Sequence, residues 1–252
     1  MKNISINLKE LYRNRNKKLL MNGKISILEP DKIEKQSILT SLLKAKVYAK
    51  GILLDLGCGG KPYEIIFSDI VEEYIGIDLP PTKTSNKQIK KPDVYGSALK
   101  LPFKSESFDT ILCTQVLEHV PEPKKLLEEA FRVLKGDGYL IMTAPMTWGL
   151  HEIPHDYYRF TKYGLEYLVQ SAGFKIIYIR PRSGFWGVIG QKISSWIYYF
   201  GRIPKNIFNE IIKRILCAVV QSIFSILDKF NEIESETLGY IVVAKKVKKD
   251  EK

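Results

Sequence analysis

The chain has 252 residues, 45% of them hydrophobic, enough to bury the core of one domain with additions or of two small ones. The formal charge of +11 is unevenly spread, because residues 1–50, 51–180 and 181–252 carry +8, −2 and +5; a near-neutral middle flanked by basic ends suits an approach to a membrane surface or a polyanion. Cys58, Cys113 and Cys217 lie too far apart for a zinc site or a disulfide framework, and the start Met1-Lys2-Asn3-Ile4 lacks the apolar stretch of a secretory signal, so a reducing, cytoplasmic setting is expected.

Residues 1–30 show no sustained period and are expected to form a basic arm. Asp31 can cap a helix in which Ile33, Ile38, Leu42 and Ala45 recur at helical spacing. Ile52-Leu53-Leu54-Asp55-Leu56 then reads as a buried parallel strand entering the tight turn Gly57-Cys58-Gly59-Gly60, with a helix beginning near Pro62. Further strands are predicted at 74–78, 93–96 and 108–113. A helix over 122–134 has Leu126, Leu127, Ala130 and Phe131 on one face, and Gly136-Asp137-Gly138 turns it into a strand at 139–143. Strands over 175–179 and 239–244 follow, and 247–252 is a charged tail. Alternation of strand and helix over about 130 residues argues for an α/β fold whose ligands lie beyond the carboxyl ends of parallel strands. The expected domains are 1–30 (arm), 31–183 (sheet and helices), 184–233 (helical apolar insertion) and 234–246 (last strand).

The glycines after Asp55 let backbone pass close to a ligand, but the loop lacks the third glycine of a dinucleotide fingerprint and the Lys-Ser/Thr of a phosphate loop. A carboxylate just before the glycines would repel a pyrophosphate and attract an ammonium or sulfonium. Asp78 ends the next strand 23 residues after Asp55, where it can accept hydrogen bonds from ribose hydroxyls.

Asp55 to Gly60, Tyr74 to Asp78, Ala98 to Phe103, and Ser107-Phe108-Asp109 to Glu118-His119-Val120 resemble the ordered motifs of class I S-adenosylmethionine-dependent methyltransferases, most of all the branch with quinone and sugar methyltransferases. The resemblance spans about residues 38–180. It implies a Rossmann-like, mostly parallel seven-stranded sheet with helices on both faces, and S-adenosyl-L-methionine as cofactor. It implies that Asp55, Gly57, Cys58 and Gly59 cradle the methionyl part, that Asp78 holds the ribose and Ser97 with Ala98 the adenine edge, and that Thr114 and Gln115 line the far side. Ser97 departs from the family, which commonly places a carboxylate there.

The sulfonium already activates the methyl group, so the protein must align an acceptor and, for a hydroxyl, remove a proton. The segment 145–161 holds His151 and His155. His155, oriented by Asp156 or Glu152, reads as a general base, with His151, Tyr157, Tyr158 and Arg159 shaping the acceptor pocket; a structural network locking the loop is the competing reading. Pro154 between the two histidines argues against a metal held at i, i+4, so no metal is expected. Glu118-His119 is read as helix capping.

In 184–230, Phe185, Ile189, Ile193 and Trp196 follow a helical stripe, and a second apolar stretch runs from Ile207 to Phe230. Its longest uncharged run, Ile215 to Leu227, has 13 residues, short of the roughly 20 that cross a bilayer. Six basic residues and one acidic lie between Arg182 and Arg214. Contact with the inner face of an anionic membrane, a homodimer interface and an active-site cap are all open. The expected function is methyl transfer to a small or lipid-linked acceptor, a surface-polysaccharide sugar or an isoprenoid quinone, at oxygen rather than carbon. RNA methylation, and a non-catalytic cofactor-binding subunit, are the alternatives; the −2 middle segment and the lack of an Asn/Asp-Pro-Pro-Tyr/Phe tetrad make nucleic acid an unlikely substrate.

Overall fold

The computed structural model describes residues 19–80, 91–200, 206–230 and 235–247; positions 1–18 of the expected arm, Gly201 and all but Val247 of the expected tail lie outside them. The chain divides into two compact units, one of Met1–Leu43 and Arg182–Leu238, the other of Lys44–Pro181 and Gly239–Lys252.

The second unit holds seven strands, β1 (Ile52–Leu56), β2 (Glu73–Asp78), β3 (Val94–Tyr95), β4 (Phe108–Thr114), β5 (Leu134–Pro145), β6 (Phe174–Pro181) and β7 (Gly239–Lys246). They form one sheet in the order β3-β2-β1-β4-β5-β7-β6, parallel except for β7, which runs antiparallel to both of its neighbours. β1 is apolar almost throughout because β2 and β4 flank it and its residues 53–56 are buried. The strand order reverses between β1 and β4, so the loops after them part at a topological switch point. Helix α3 (Pro123–Val133) buries Leu126, Leu127, Ala130 and Val133, the 3.6-residue stripe, into the core with Leu54, Ile111 and Met142.

One boundary departs from the sequence reading. Gly136-Asp137-Gly138 is not a turn ahead of β5 but part of it, and the ladder with β4 shifts register between Phe108 and Thr110. The bulge needs Gly138, where a Cβ would lie 2.6 Å from Leu134 Cγ.

The first unit contains most of helix α1 (Lys32–Ala45), helix α5 (Phe185–Ser195) and helix α6 (Ile207–Asp228). The division thus sets α1 with the apolar insertion rather than with the sheet. Buried side-chain amides make the tie: Gln221 Oε1 accepts from Ile33 N–H (2.9 Å) and Gln191 Oε1 from Glu34 N–H (3.2 Å), which satisfies two donors of the first turn of α1. Contrary to the sequence reading, Asp31 does not cap that helix with its side chain; its carboxylate accepts from Gln191 Nε2 and the Tyr199 hydroxyl. Arg182 donates to Glu34 Oε1 (2.8 Å) and Ser37 Oγ (2.9 Å), with its side chain fully buried. α5 and α6 close on Gly190, where a Cβ would come within 2.4 Å of Phe224 Cβ.

α6 is inverted relative to an ordinary surface helix. Its buried positions are Lys213, Cys217, Ala218 and Gln221, whereas Phe208, Ile211, Ile215, Val219, Ile223 and Ile226, spaced three and four apart, are each at least half exposed. No helix among the described residues is long and apolar enough to cross a membrane.

Removing one partner of a buried ion pair leaves the other charge uncompensated, at a cost of about 3–5 kcal/mol. Arg182→Met is therefore expected to destabilise the smaller unit by about that amount, and Arg182→Met with Glu34→Met to recover most of it, as measured by denaturant unfolding followed by circular dichroism.

Candidate active site

The loop after β1 carries positive φ at Gly57 (63°) and Gly59 (50°), a backbone that glycine adopts without strain. A Cβ on Gly57 would meet Val116 Cγ2 at 2.5 Å, so the loops after β1 and β4 approach as closely as glycine allows, whereas a Cβ on Gly59 would meet nothing within 4 Å. The space over Gly59 is open. Gly59 N–H donates to Asp78 Oδ2 (2.7 Å) and Cys58 N–H to Ile77 O (3.1 Å), which fastens this loop to the end of β2. Gly76 in β2 makes room for it, since a Cβ there would lie 2.6 Å from Cys58 Sγ.

Asp55 is buried and accepts from the Tyr74 hydroxyl (2.5 Å). Burial pushes its carboxyl up to about 7; the Tyr74 hydrogen bond works against this, the Asp78 charge reinforces it and Lys61 opposes it. Lys61 was not singled out from the sequence. It is nearly buried, pairs with Asp93, and Asp93 also accepts from Gly76 N–H (2.7 Å). Burial, with the nearby Asp55 and Asp78 charges, raises the Cys58 thiol to about 12, so it packs as a neutral group.

Ser97 Oγ accepts from Leu99 N–H (3.2 Å), a local turn contact, and Ala98 packs against the core. Beyond β4, Thr114 Oγ1 is buried without a hydrogen-bond partner among the described residues, and Gln115, at φ 55°, donates from Nε2 to Thr143 Oγ1 (3.1 Å).

The segment after β5 lies along the segment after β4. Tyr157 N–H donates to Glu118 O (2.9 Å), the Tyr158 hydroxyl to Pro121 O (2.9 Å), and His119 Nδ1 to His155 O (2.7 Å). Three sequence assignments are corrected here. Asp156 does not orient His155: its carboxylate is held by Arg159 through Nη1 (2.7 Å) and Nη2 (2.8 Å) and by His151 N–H (3.0 Å), which keeps it well below the usual carboxylate range. Arg159, also bound to the carbonyls of Trp148, Tyr158 and Gly149, is spent on the loop and is not a free substrate contact. His155 is exposed, with Nδ1 3.2 Å from the Tyr157 hydroxyl. Nor is Glu118-His119 a cap: Glu122, at the cap position of α3, makes no side-chain cap bond, and Leu117–His119 is a 3-10 turn that buries Glu118 completely. His151 meets His119 rather than His155, ring edge to face at 4.6 Å. Three-dimensional pairing across 32 residues left no local signal.

The family described as "Methyltransferase domain" matches residues 54–142, from the middle of β1 to near the end of β5. That match and the shared fold support a class I S-adenosylmethionine-dependent methyltransferase family for this part of the chain. An uncharacterized protein of Methanocaldococcus jannaschii is 35% identical over 129 residues, 50% of this chain and 56% of that protein. Demethylmenaquinone methyltransferase of Oceanobacillus iheyensis is 28% identical over 134 residues, 48% of this chain and 56% of that one. A SAM-dependent methyltransferase from Archaeoglobus fulgidus has the same fold, with a TM-score of 0.52 at 19% identity, covering 85% of this chain and 94% of that one. The chain spans about half the length of the curated relatives it matches.

The residues fit the family's cofactor, S-adenosylmethionine. The open space over Gly59, the buried hydroxyl of Thr114, unpartnered among the described residues, and a buried carboxyl whose ionised form a cation would favour all lie at the switch-point edge of the sheet. A cationic ligand favours the ionised carboxylate, so binding expels a proton from Asp55 when the pH is below about 7. Cofactor affinity should therefore weaken as the pH falls from about 8 to about 6, approaching tenfold per unit below the Asp55 value. Calorimetry across that range should also show Asp55→Asn binding more weakly at the upper end and losing this dependence, with Asp78→Ala and Gly57→Val folded but weaker at every pH.

Proposed function

We propose that the chain transfers a methyl group from S-adenosylmethionine to a hydroxyl of a small or lipid-linked acceptor, a surface-polysaccharide sugar or an isoprenoid quinone being the classes that fit. The observation that carries this reading is the juxtaposition, at the carboxyl ends of neighbouring strands, of the glycine loop between Asp55 and Asp78 with the two segments, after β4 and after β5, that together bear the three histidines of the chain. Asp55, Gly57, Cys58 and Gly59 would meet the methionyl part, Asp78 the ribose, Ser97 and Ala98 the adenine, and Thr114 and Gln115 the opposite side. The acceptor O–H bond breaks as its proton passes to an imidazole nitrogen. The oxygen lone pair forms the new C–O bond, and the electrons of the S–CH₃ bond stay on sulfur, giving the methyl ether and S-adenosylhomocysteine.

His155 is the proposed base, because it is exposed beside Tyr157 and its carbonyl is anchored by His119. The likeness to a demethylmenaquinone methyltransferase supports a quinone among the acceptors to screen.

An exposed apolar face suited to a membrane supports the lipid-linked part of the reading. Trp186, Trp196 and Tyr199 are exposed in the same unit as the apolar face of α6, side chains that favour a membrane interface. Electrostatics contributes less than the sequence suggested, since two of the six basic residues are used internally, Arg182 by Glu34 and Lys213 buried beside Glu210. We place this face on an anionic bilayer at the inner side of the membrane.

With labelled cofactor and a panel of sugars, quinols and lipid-linked sugars, His155→Ala should lower turnover by about 10²–10⁴ while cofactor affinity is unchanged; normal turnover removes the base role. Sedimentation with phosphatidylglycerol vesicles should show binding that declines only partly with salt and is abolished by Ile215→Glu with Val219→Glu. A concentration-dependent dimer lost in the same variant, with no vesicle binding at low salt, would instead make this face an interface between two copies.

A further inference from the structure

We propose that Glu118, His119 and His151 form a binding site for one divalent transition-metal cation, of the Zn²⁺ or Co²⁺ type, on the acceptor side of the site. One oxygen of Glu118 and one ring nitrogen from each histidine lie within 4.8 Å of one another. Glu118 Oε1 is 3.8 Å from His119 Nε2. Ligand atoms on a tetrahedral ion with bonds of about 2.1 Å stand about 3.4 Å apart, so the three need to close by at most about 1.4 Å, within reach of side-chain rotation. Two imidazoles and a carboxylate suit these cations, with further coordination positions left for other ligands.

The proton positions support ligation. A carbonyl can only accept, so His119 Nδ1, 2.7 Å from His155 O, carries the ring proton and leaves a lone pair on Nε2, the nitrogen that faces Glu118. His151 Nδ1 stands 3.1 Å from Gly149 O and 3.5 Å from both an Asp156 oxygen and the Arg159 Nη2 donor; the nearest of these, the carbonyl, can only accept, which favours the proton on Nδ1 and the lone pair on Nε2. Metal-bound histidines are commonly held in this way, each with its second nitrogen donating to a carbonyl or carboxylate. The surrounding charge is suitable as well. Asp156, Glu152 and His151 act on His119, Glu118 acts on Arg159, and the one cation among them, Arg159, is neutralised by Asp156. What remains around the two imidazoles is net negative.

A cation there would polarise an acceptor oxygen and ease loss of its proton to His155. That role rests on the proposed methyl transfer, but the binding itself does not. The full-length chain, stripped with chelator and dialysed, is titrated with Zn²⁺ by calorimetry and with Co²⁺ by visible absorption. One equivalent is expected, with Co²⁺ d–d bands, weakened at least about tenfold in His151→Ala and in His119→Gln and retained in His155→Ala. His151 is on a loop and partly exposed, so its variant is expected to fold, which circular dichroism checks. Absence of saturable binding in the native chain overturns the proposal, as does binding that survives in folded His151→Ala or is lost only in His155→Ala. Parallel titration with S-adenosylmethionine separates the outcomes: cofactor bound without metal removes this site alone.

Discussion

The site depends on one constraint of the sheet: parallel strands joined by crossovers all end on the same edge. β1, β2, β4 and β5 run in one direction, so the residues that follow each strand gather on that edge however far apart they are in the chain. The order reversal between β1 and β4 then parts their loops. Gly57 sets how far, because any side chain there would strike Val116. The buried aliphatic residues of β1, β4 and β5 hold the edge rigid, which lets a carboxylate as costly to bury as Asp55 stay in place with one hydroxyl as its partner.

What was legible in the sequence was local. Ile52 to Gly60 announces a buried strand and a tight turn within nine residues, and Asp78 falls at the next strand's end, so the cofactor side could be assembled from short motifs. The acceptor side could not. The choice between Asp156 orienting His155 and Asp156 binding Arg159 is decided by geometry: three residues on, Arg159 offers two parallel donors that a neutral imidazole cannot match. Glu118 and His119 read as a cap because Glu followed by a helix is a common terminus. Only the return of the chain at Tyr157 and His155, bonded to Glu118 O and His119 Nδ1, shows that this turn is covered and buried.

Hydrophobic periodicity misleads for a physical reason in the smaller unit. The period of α6 is helical, but period alone does not say which face is inside. There the inner face is polar, with Gln191, Gln221, Arg182, Glu34 and Ser37 hydrogen-bonded to one another or to backbone, and the apolar stripe faces outward. A buried polar network of this kind is stable only if nearly every member is partnered, and it fixes the register of α1 against α5 and α6 more narrowly than interchangeable aliphatic contacts would. The exposed stripe is the complement of that arrangement: apolar area not used for folding remains for association.

The electrostatics of the proposed reaction can be followed through one turnover. Before the cofactor arrives, Asp55 at neutral pH is divided between its protonated and ionised forms, and the cation shifts it to the carboxylate. In the proposed transfer the cofactor would supply the methyl group and lose its positive charge, while the acceptor's proton would pass to His155. The field that drew the cofactor in weakens at the sulfur once the chemistry is done, and the carboxylate is left with less to balance its burial. Recovery of a proton by Asp55 and loss of one by the imidazole then restore the starting charges. A carboxyl raised to about 7 lowers the electrostatic cost of the empty site relative to one ionised throughout.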